Sequence, residues 1–393
     1  MSDFYLTKLL PPYIFAQIDQ LKINARAKGI DIIDYGMGNP DLSPPKHVIE
    51  KLVELSKDPA LYGYSVSGGM EKLKKALCEY YARRFGVELD YKIESLVTIG
   101  AKEGLTSLAT AISDEKSYIV VPNPSYPIHT FAFIIAKSRA VSVDNPNPKA
   151  FLENFKKFVE NAKEKPTAII VNFPCNPTTQ TVGLDFYEEL VDFCIKHQIY
   201  IISDIAYSEI YFGEENRTHS ILEVARAKEI AIEFSSTSKS YCMAGCRVGF
   251  AAGNKKLIAA LTKIKSYLDY GSFMPLQLAA IEAMSPETDK YLEEVCDIYL
   301  SRAKFLIKIL KDELNWEIEL PKATMFLWAK LPKQFQHLTS LEFCDILIKE
   351  CGVALSPGSS FGTNGEGYVR FSLIHSEART MEAIDRMKKF FNK

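Results

Sequence analysis

Between about residues 90 and 255 the chain alternates short apolar runs with stretches in which apolar residues recur every three to four positions. The runs 96–99, 118–121, 140–143, 167–171, 200–203, 230–234 and 248–252 include several that are rich in Ile and Val and poor in charge. Strands covered on both faces read this way. Between two of them, Leu184, Tyr187, Leu190, Val191, Cys194 and Ile195 fall at helical spacing and predict a helix with one buried stripe. Strand and helix in alternation over this length predict an α/β fold, a mainly parallel seven-stranded sheet between layers of helices.

Near Ser285 the pattern changes. Ser285-Pro286-Glu287 reads as a helix start, with Ser as the cap and Pro in the first turn. Leu292, Val295, Cys296, Tyr299, Ala303, Leu306 and Ile309 then trace one face of a long helix. Short strands are expected near 316–319, 325–329 and 368–372, before a terminal helix from about Ser376. The expected division is a large domain, 45–285, and a smaller α+β domain built from the N-terminal arm, 1–44, together with 286–393.

Composition narrows the function. The chain has 393 residues, 47 Lys and Arg against 49 Asp and Glu, and a net charge of −2. At 47% hydrophobic it is neither disordered nor collagen-like. The balanced charge gives no field for nucleic acid or an anionic membrane, so an anion must be held locally. Eight cysteines form no CxxC motif, which favours reduced thiols and a cytoplasmic protein over a zinc site or disulfide framework. No signal-like h-region opens the chain and no run approaches 18 apolar residues, so no membrane span is expected. Asn216-Arg217-Thr218 is a chance sequon on this reading.

Candidate chemistry gathers at strand ends. Ser236-Thr237-Ser238-Lys239 follows one apolar run, and Arg247 lies in the next segment. An amine that is costly to desolvate, among hydroxyls and a guanidinium, suits a nucleophilic lysine beside a phosphate, which is what pyridoxal 5′-phosphate (PLP) requires. A surface-loop lysine is the plainer alternative. Asp204, ending another run, is placed either to pair with a pyridine nitrogen or to cap a turn. Tyr207 follows within reach of the same ring. Asn176 lies in a stiff Pro-rich loop and either donates to a cofactor oxygen or serves the turn. Gly100, Ala101 and Lys102 run from strand into helix, where free amides bind anions. Tyr126 sits on a stiff turn suited to ring stacking, or is simply core. Arg370 stands in an apolar strand, where its planar fork meets a bound or a structural carboxylate. Their order serves a single cofactor.

The chain resembles the class I/II aminotransferases, PLP enzymes of fold type I, over nearly its whole length. The likeness rests on MGNPD (Met37–Asp41), YSVSGG (Tyr64–Gly69), GAKEG (Gly100–Gly104), PNPSYP (Pro122–Pro127), NFPCNPT (Asn172–Thr178), SDIAY (Ser203–Tyr207), SxSK (Ser236–Lys239), GCRVG (Gly245–Gly249) and VRFS (Val369–Ser372). It implies that Lys239 joins the cofactor aldehyde, Asp204 binds the pyridine nitrogen, Tyr126 stacks on the ring, and Asn176 and Tyr207 bind its phenolic oxygen. The Ala101 and Lys102 amides, Ser236, Ser238 and Arg247 would cup the phosphate. Arg370, the Gly38 amide and Asn176 would hold the substrate α-carboxylate. Tyr64 would reach the phosphate of a second subunit, implying a homodimer.

LPPYIFAQID, GYSVSGG, TIGAKEGL and VPNPSYPIH resemble the branch of alanine (glutamate–pyruvate) and LL-diaminopimelate aminotransferases. Lys102 matches a lysine that meets the distal carboxylate of acidic substrates in aspartate-type relatives, which implies glutamate and 2-oxoglutarate as one pair. Three departures stand out: Cys246 in place of Trp, Ile205-Ala206 in place of a Glu-containing pair, and Thr179 in place of Gly. A PLP-dependent C–S β-lyase on the same fold is the alternative activity.

Overall fold

In the computed structural model, which describes residues 4–392, all seven apolar runs become strands of one sheet. After the short strand β1 (Ile33–Asp34), they are β2 (Ser95–Thr98), β3 (Tyr118–Asn123), β4 (Arg139–Asp144), β5 (Ala168–Asn172), β6 (Tyr200–Asp204), β7 (Ala231–Ser236) and β8 (Gly249–Gly253). The order is β2-β8-β7-β6-β5-β3-β4. Strands β3 to β7 are parallel, and β8 is antiparallel to both of its neighbours. Apolar periodicity carries no strand direction, so only the pairing revealed that reversal.

Alternate residues feed two cores. Val120, Ile169, Val171 and Ile201 pack to one side with the predicted stripe of the helix Leu184–His197, while Ile119, Ile170, Ile202 and Phe234 pack to the other. Each fully buried branched side chain contributes about 1.5–3 kcal/mol relative to exposure. Strand order reverses between β3 and β5, and the crevice beyond the carboxyl ends at such a point is where open α/β sheets bind ligands. Asn123, Asn172, Asp204 and Ser236 all lie at that edge.

A further core joins the N-terminal segment to the C-terminal third: Ile18, Ile33, Tyr35, Tyr299, Leu306, Phe343, Val369 and Ile384 share it with Tyr207 and Ile210. It contains β9 (Phe326–Lys330), β10 (Val353–Ala354), β11 (Ser356–Pro357) and β12 (Tyr368–Ser372). β1 pairs with β10, and β11-β12-β9 form an antiparallel sheet. Two local expectations fail. Residues 316–319 form no strand, because Trp316 is buried and its indole donates to the Lys330 carbonyl at 2.7 Å. Ser285 does not cap the long helix: Pro286–Thr288 form a 3₁₀ turn, the helix spans Asp289–Leu314, and Ser285 makes no side-chain cap bond.

Candidate active site

The sheet edge and the core of the N-terminal segment and C-terminal third enclose a cavity of about 420 Å³. Gly38, Ala101, Lys102, Tyr126, Asn176, Asp204, Tyr207, Ser236, Ser238, Lys239, Arg247 and Arg370 all line it. Of the residues that the resemblance assigns to cofactor or substrate, Tyr64 does not line it: it is 87% exposed and pairs with the Tyr270 ring at 4.9 Å. Five cations line the cavity, Lys22, Lys102, Lys239, Arg247 and Arg370, against the carboxylates of Asp19 and Asp204. Only Lys22 among these cations is ion-paired among the described residues, to Asp19 and Asp34. A chain of near-neutral charge thus concentrates cations at one place.

Lys239 stands on the one-turn helix Thr237–Ser240 directly after β7 and donates to the Gly38 carbonyl. Burial, with Arg370 and Arg247 nearby, pushes its amine down to about 8. The Gly38 contact involves the carbonyl, and its amide remains available. A Cβ at Gly38 would lie 3.0 Å from the Phe326 ring, so the close approach of this loop suits glycine.

Asp204 ends β6 and caps a turn, the plainer of the two roles foreseen for it, while its other oxygen meets a histidine. Oδ1 accepts from the Ala206 amide at 3.0 Å, capping a turn, and Oδ2 meets His129 Nε2 at 2.9 Å. His129 Nδ1 pairs with Ser125 Oγ at 2.7 Å, so the buried ring is held from both sides. Asn172 donates to the Asp204 carbonyl at 2.8 Å and accepts from the Asn176 amide at 3.0 Å, which ties two strand ends together. Burial pushes the phenols of Tyr126 and Tyr207 upward.

Arg370, in β12, is 4% exposed and donates to Asn176 Oδ1 at 2.7 Å, the Gly36 carbonyl at 3.1 Å and Ser356 Oγ at 3.3 Å. Its guanidinium lies 4.0 Å from the Phe326 centroid and 4.8 Å from that of Phe361. No carboxylate meets it among the described residues, and its Nε has no partner. Burial pushes it down to about 10. The structural ion pair offered as the plainer reading of this residue is therefore absent.

At the other end, Ser236 and Ser238 hydroxyls bond at 2.8 Å, and Arg247 reaches Ser238 Oγ at 3.4 Å and the Ile99 carbonyl at 3.3 Å. The Ala101 and Lys102 amides begin the helix Ala101–Ile112, whose N-terminus has no side-chain cap. Gly100 has φ +78°, and a Cβ there would lie 2.2 Å from Arg247 Nη2. Uncapped amides, hydroxyls and a guanidinium make a phosphate-sized anion cup, and a buried Arg without a carboxylate awaits a second anion. These donors fit PLP and an amino acid together.

Four contributors escaped the sequence reading: His129, Asn172, Phe326 and Phe361. A lone His in the apolar run Ile128–Ile135 was a usable signal for the first; the phenylalanines look like any core residue. The helix Ile14–Ala27 also brings Ile18, Asp19 and Lys22 to the cavity, which its weak amphipathicity did not announce. Thr179 adopts the left-handed φ of 61° that its family position usually gives to Gly.

Among the described residues no helix is long and apolar enough to cross a membrane, and no group of side chains could hold a metal ion. Residues 30–387 match the family model "Aminotransferase class I and II". The chain is 41% identical over 382 residues to the glutamate–pyruvate aminotransferase AlaC of Escherichia coli, covering 97% of this chain and 92% of that one. It is 40% identical over 380 residues to the LL-diaminopimelate aminotransferase of Maridesulfovibrio salexigens, covering 97% of both. Substrate-bound BacF from Bacillus subtilis superposes with a TM-score of 0.93 at 32% identity, over 99% of this chain and 98% of that chain. Nothing in these likenesses supports the β-lyase alternative. With a fold-type-I body, a buried amine at the sheet edge and cationic side chains at both ends of one cavity, the chain belongs to the class I and II aminotransferases and is a PLP-dependent aminotransferase.

Proposed function

We propose that this aminotransferase exchanges amino groups between an L-amino acid of alanine, aspartate or LL-diaminopimelate type and a 2-oxo acid, with glutamate and 2-oxoglutarate as one pair, in a ping-pong cycle. The names of the relatives support that range. The observation that carries it is the surplus of cavity cations without carboxylate partners, Arg370 above all.

When bound, PLP supplies the aldehyde that takes up an amino group and a ring that accommodates charge left at the donor's Cα. The residues of the chain do the rest. Arg370, Asn176 and the Gly38 amide grip the α-carboxylate and fix the orientation of the Cα–H bond. Lys239, with its lowered amine, takes the proton from Cα and later returns one. Asp204, held by His129, would pair with the ring nitrogen and favour its protonated form. Tyr126 supports the ring face, and Asn176 and Tyr207 donate to the phenolic oxygen. Because Arg370 occupies Asn176 Oδ1, the Asn176 Nδ2 is left to donate. Ala101, Lys102, Ser236, Ser238 and Arg247 form the phosphate cup, and the Lys102 ammonium meets a distal carboxylate.

Of the described residues, those up to 44 and those from 286 onward form the small domain, whose closure on the large domain, 45–285, excludes water. The chain works as a homodimer in which Tyr64 reaches the partner's phosphate, and the exposed Tyr62, Tyr64, Val66, Tyr267 and Tyr270 support a covered face there. Eight free cysteines support a cytoplasmic setting. A donor-by-acceptor activity screen tests the substrate range: activity confined to aromatic donors would refute it. Borohydride reduction of the loaded enzyme followed by peptide mapping should mark Lys239, and a mark on another lysine would overturn the assignment.

A further inference from the structure

Behind the phosphate cup lies a lysine that the mechanism above does not use. Lys265, on the helix Lys255–Leu268, is 0% exposed, and its ammonium bonds Glu103 Oε2 at 2.9 Å and Asp269 Oδ2 at 2.8 Å. Glu103 is the third residue of the helix whose first two residues line the cavity. Its Oε2 also accepts from the Ile99 amide at 2.8 Å, and its Oε1 accepts from Ser107 Oγ at 2.6 Å. The Ile99 carbonyl in turn receives Arg247 Nη2 at 3.3 Å, and Gly100 makes the left-handed step into the helix. One carboxylate therefore pins the turn on which the cup is built.

That carboxylate is also an anion in the first helical turn, where a phosphate has to bind. Like charges in a partly desolvated site repel, and a cation placed close to one of them relieves the repulsion. Lys265 is that cation. Its second partner, Asp269, follows the helix and accepts from the Gly271 amide at 2.7 Å through Oδ1, which anchors the lysine from the other side.

We propose that Lys265 is a positioning residue for the cofactor phosphate: it offsets the charge of Glu103, so that Glu103 pins the Ile99–Gly100 turn without repelling the phosphate. The proposal rests on reading Ala101, Lys102, Ser236, Ser238 and Arg247 as the phosphate cup. A lysine that only consolidates the core would affect every ligand of the cavity equally. One acting on the phosphate separates PLP from pyridoxal, which lacks it.

The test is absorbance titration of the full-length apoprotein with PLP and with pyridoxal. Lys265→Met should weaken PLP binding at least tenfold and leave pyridoxal within twofold. Glu103→Gln combined with Lys265→Met should return PLP affinity to within threefold of wild type, because the Gln carbonyl still accepts from the Ile99 amide without a charge. An unchanged PLP affinity in Lys265→Met, an equal loss for both ligands, or no recovery in the double variant overturns the proposal. If Lys265→Met does not accumulate folded, Glu103→Gln alone decides: PLP binding at least as tight as wild type is expected, and a tenfold loss overturns it. Arg247→Gln keeps the two readings apart. If it leaves the preference for PLP over pyridoxal intact, the phosphate cup itself is misassigned; if it abolishes that preference while Lys265→Met does not, only the role of Lys265 fails.

Discussion

Replacing Arg370 by Gln should move stability and activity in different directions. The guanidinium is buried, pushed from 12.5 down to about 10, and faces no carboxylate among the described residues. Carrying that charge in the folded apoprotein costs on the order of 3 kcal/mol. Because the folded-state value is the lower one, the cost is fully present below pH 10. Against it stand three hydrogen bonds, to Asn176, Gly36 and Ser356, each contributing roughly 1 kcal/mol net. The two sides nearly cancel, and Gln keeps one donor for Asn176. Denaturant unfolding of the apoprotein should therefore stay within about 1 kcal/mol of wild type or rise. Binding is another matter. Two charge-assisted bonds to a substrate carboxylate contribute roughly 3–6 kcal/mol, so kcat/KM should fall about 10²–10⁴-fold for amino donors and 2-oxo acids alike. A loss of more than about 3 kcal/mol in stability with kcat/KM unchanged would mean that Arg370 holds the fold, and the reasoning from its missing counter-ion would be refuted.

Three other outcomes follow from the structure. Capture of PLP by the apoprotein requires a neutral Lys239 amine, so its rate should rise through a midpoint at about pH 8; a midpoint near 10.5, the ordinary lysine value, would show that the cavity does not perturb it. Thr179 holds a left-handed φ of 61°, so Thr179→Gly should raise the unfolding free energy by about 1 kcal/mol in denaturant melts, and a decrease would locate compensating contacts at the Thr side chain. Glu233 is fully buried, bonded by Tyr81, Ser203 and Ser220, and pushed from 4.5 up to about 7 by burial. Its folded value is raised, so its contribution is complete below about pH 4.5 and is lost as pH rises through 7. Glu233→Gln should remove up to about 3 kcal/mol of the stability difference between those limits, and an unchanged difference would exclude Glu233 as its source.

The site was legible where chemistry forces unusual residues onto apolar strand ends. Lys239, Asp204 and Arg370 each put a charge where burial is costly, and such placements stand out against strand periodicity. His129 and Asn172 act through other side chains, with the His129 ring spanning Ser125 and Asp204, residues 4 and 75 positions away. No local pattern encodes a distance of that kind. Phe326 and Phe361 flank Arg370 by packing alone, and along the chain they read as core. Trp316 misled for the complementary reason: a buried aromatic with β propensity sits in irregular backbone because its indole finds the Lys330 carbonyl.

By itself the sequence determined the seven strands and marked Lys239, Asp204 and Arg370 as the charges that burial makes costly, because hydrophobic periodicity and the cost of burying charge are both local. The tertiary structure decided the reversal of β8, the partners that surround Arg370, the clamp on Asp204 and the pairing of Lys265 with Glu103. Those depend on which distant segments meet, and pairing direction and counter-ions exist only once the chain has folded back on itself.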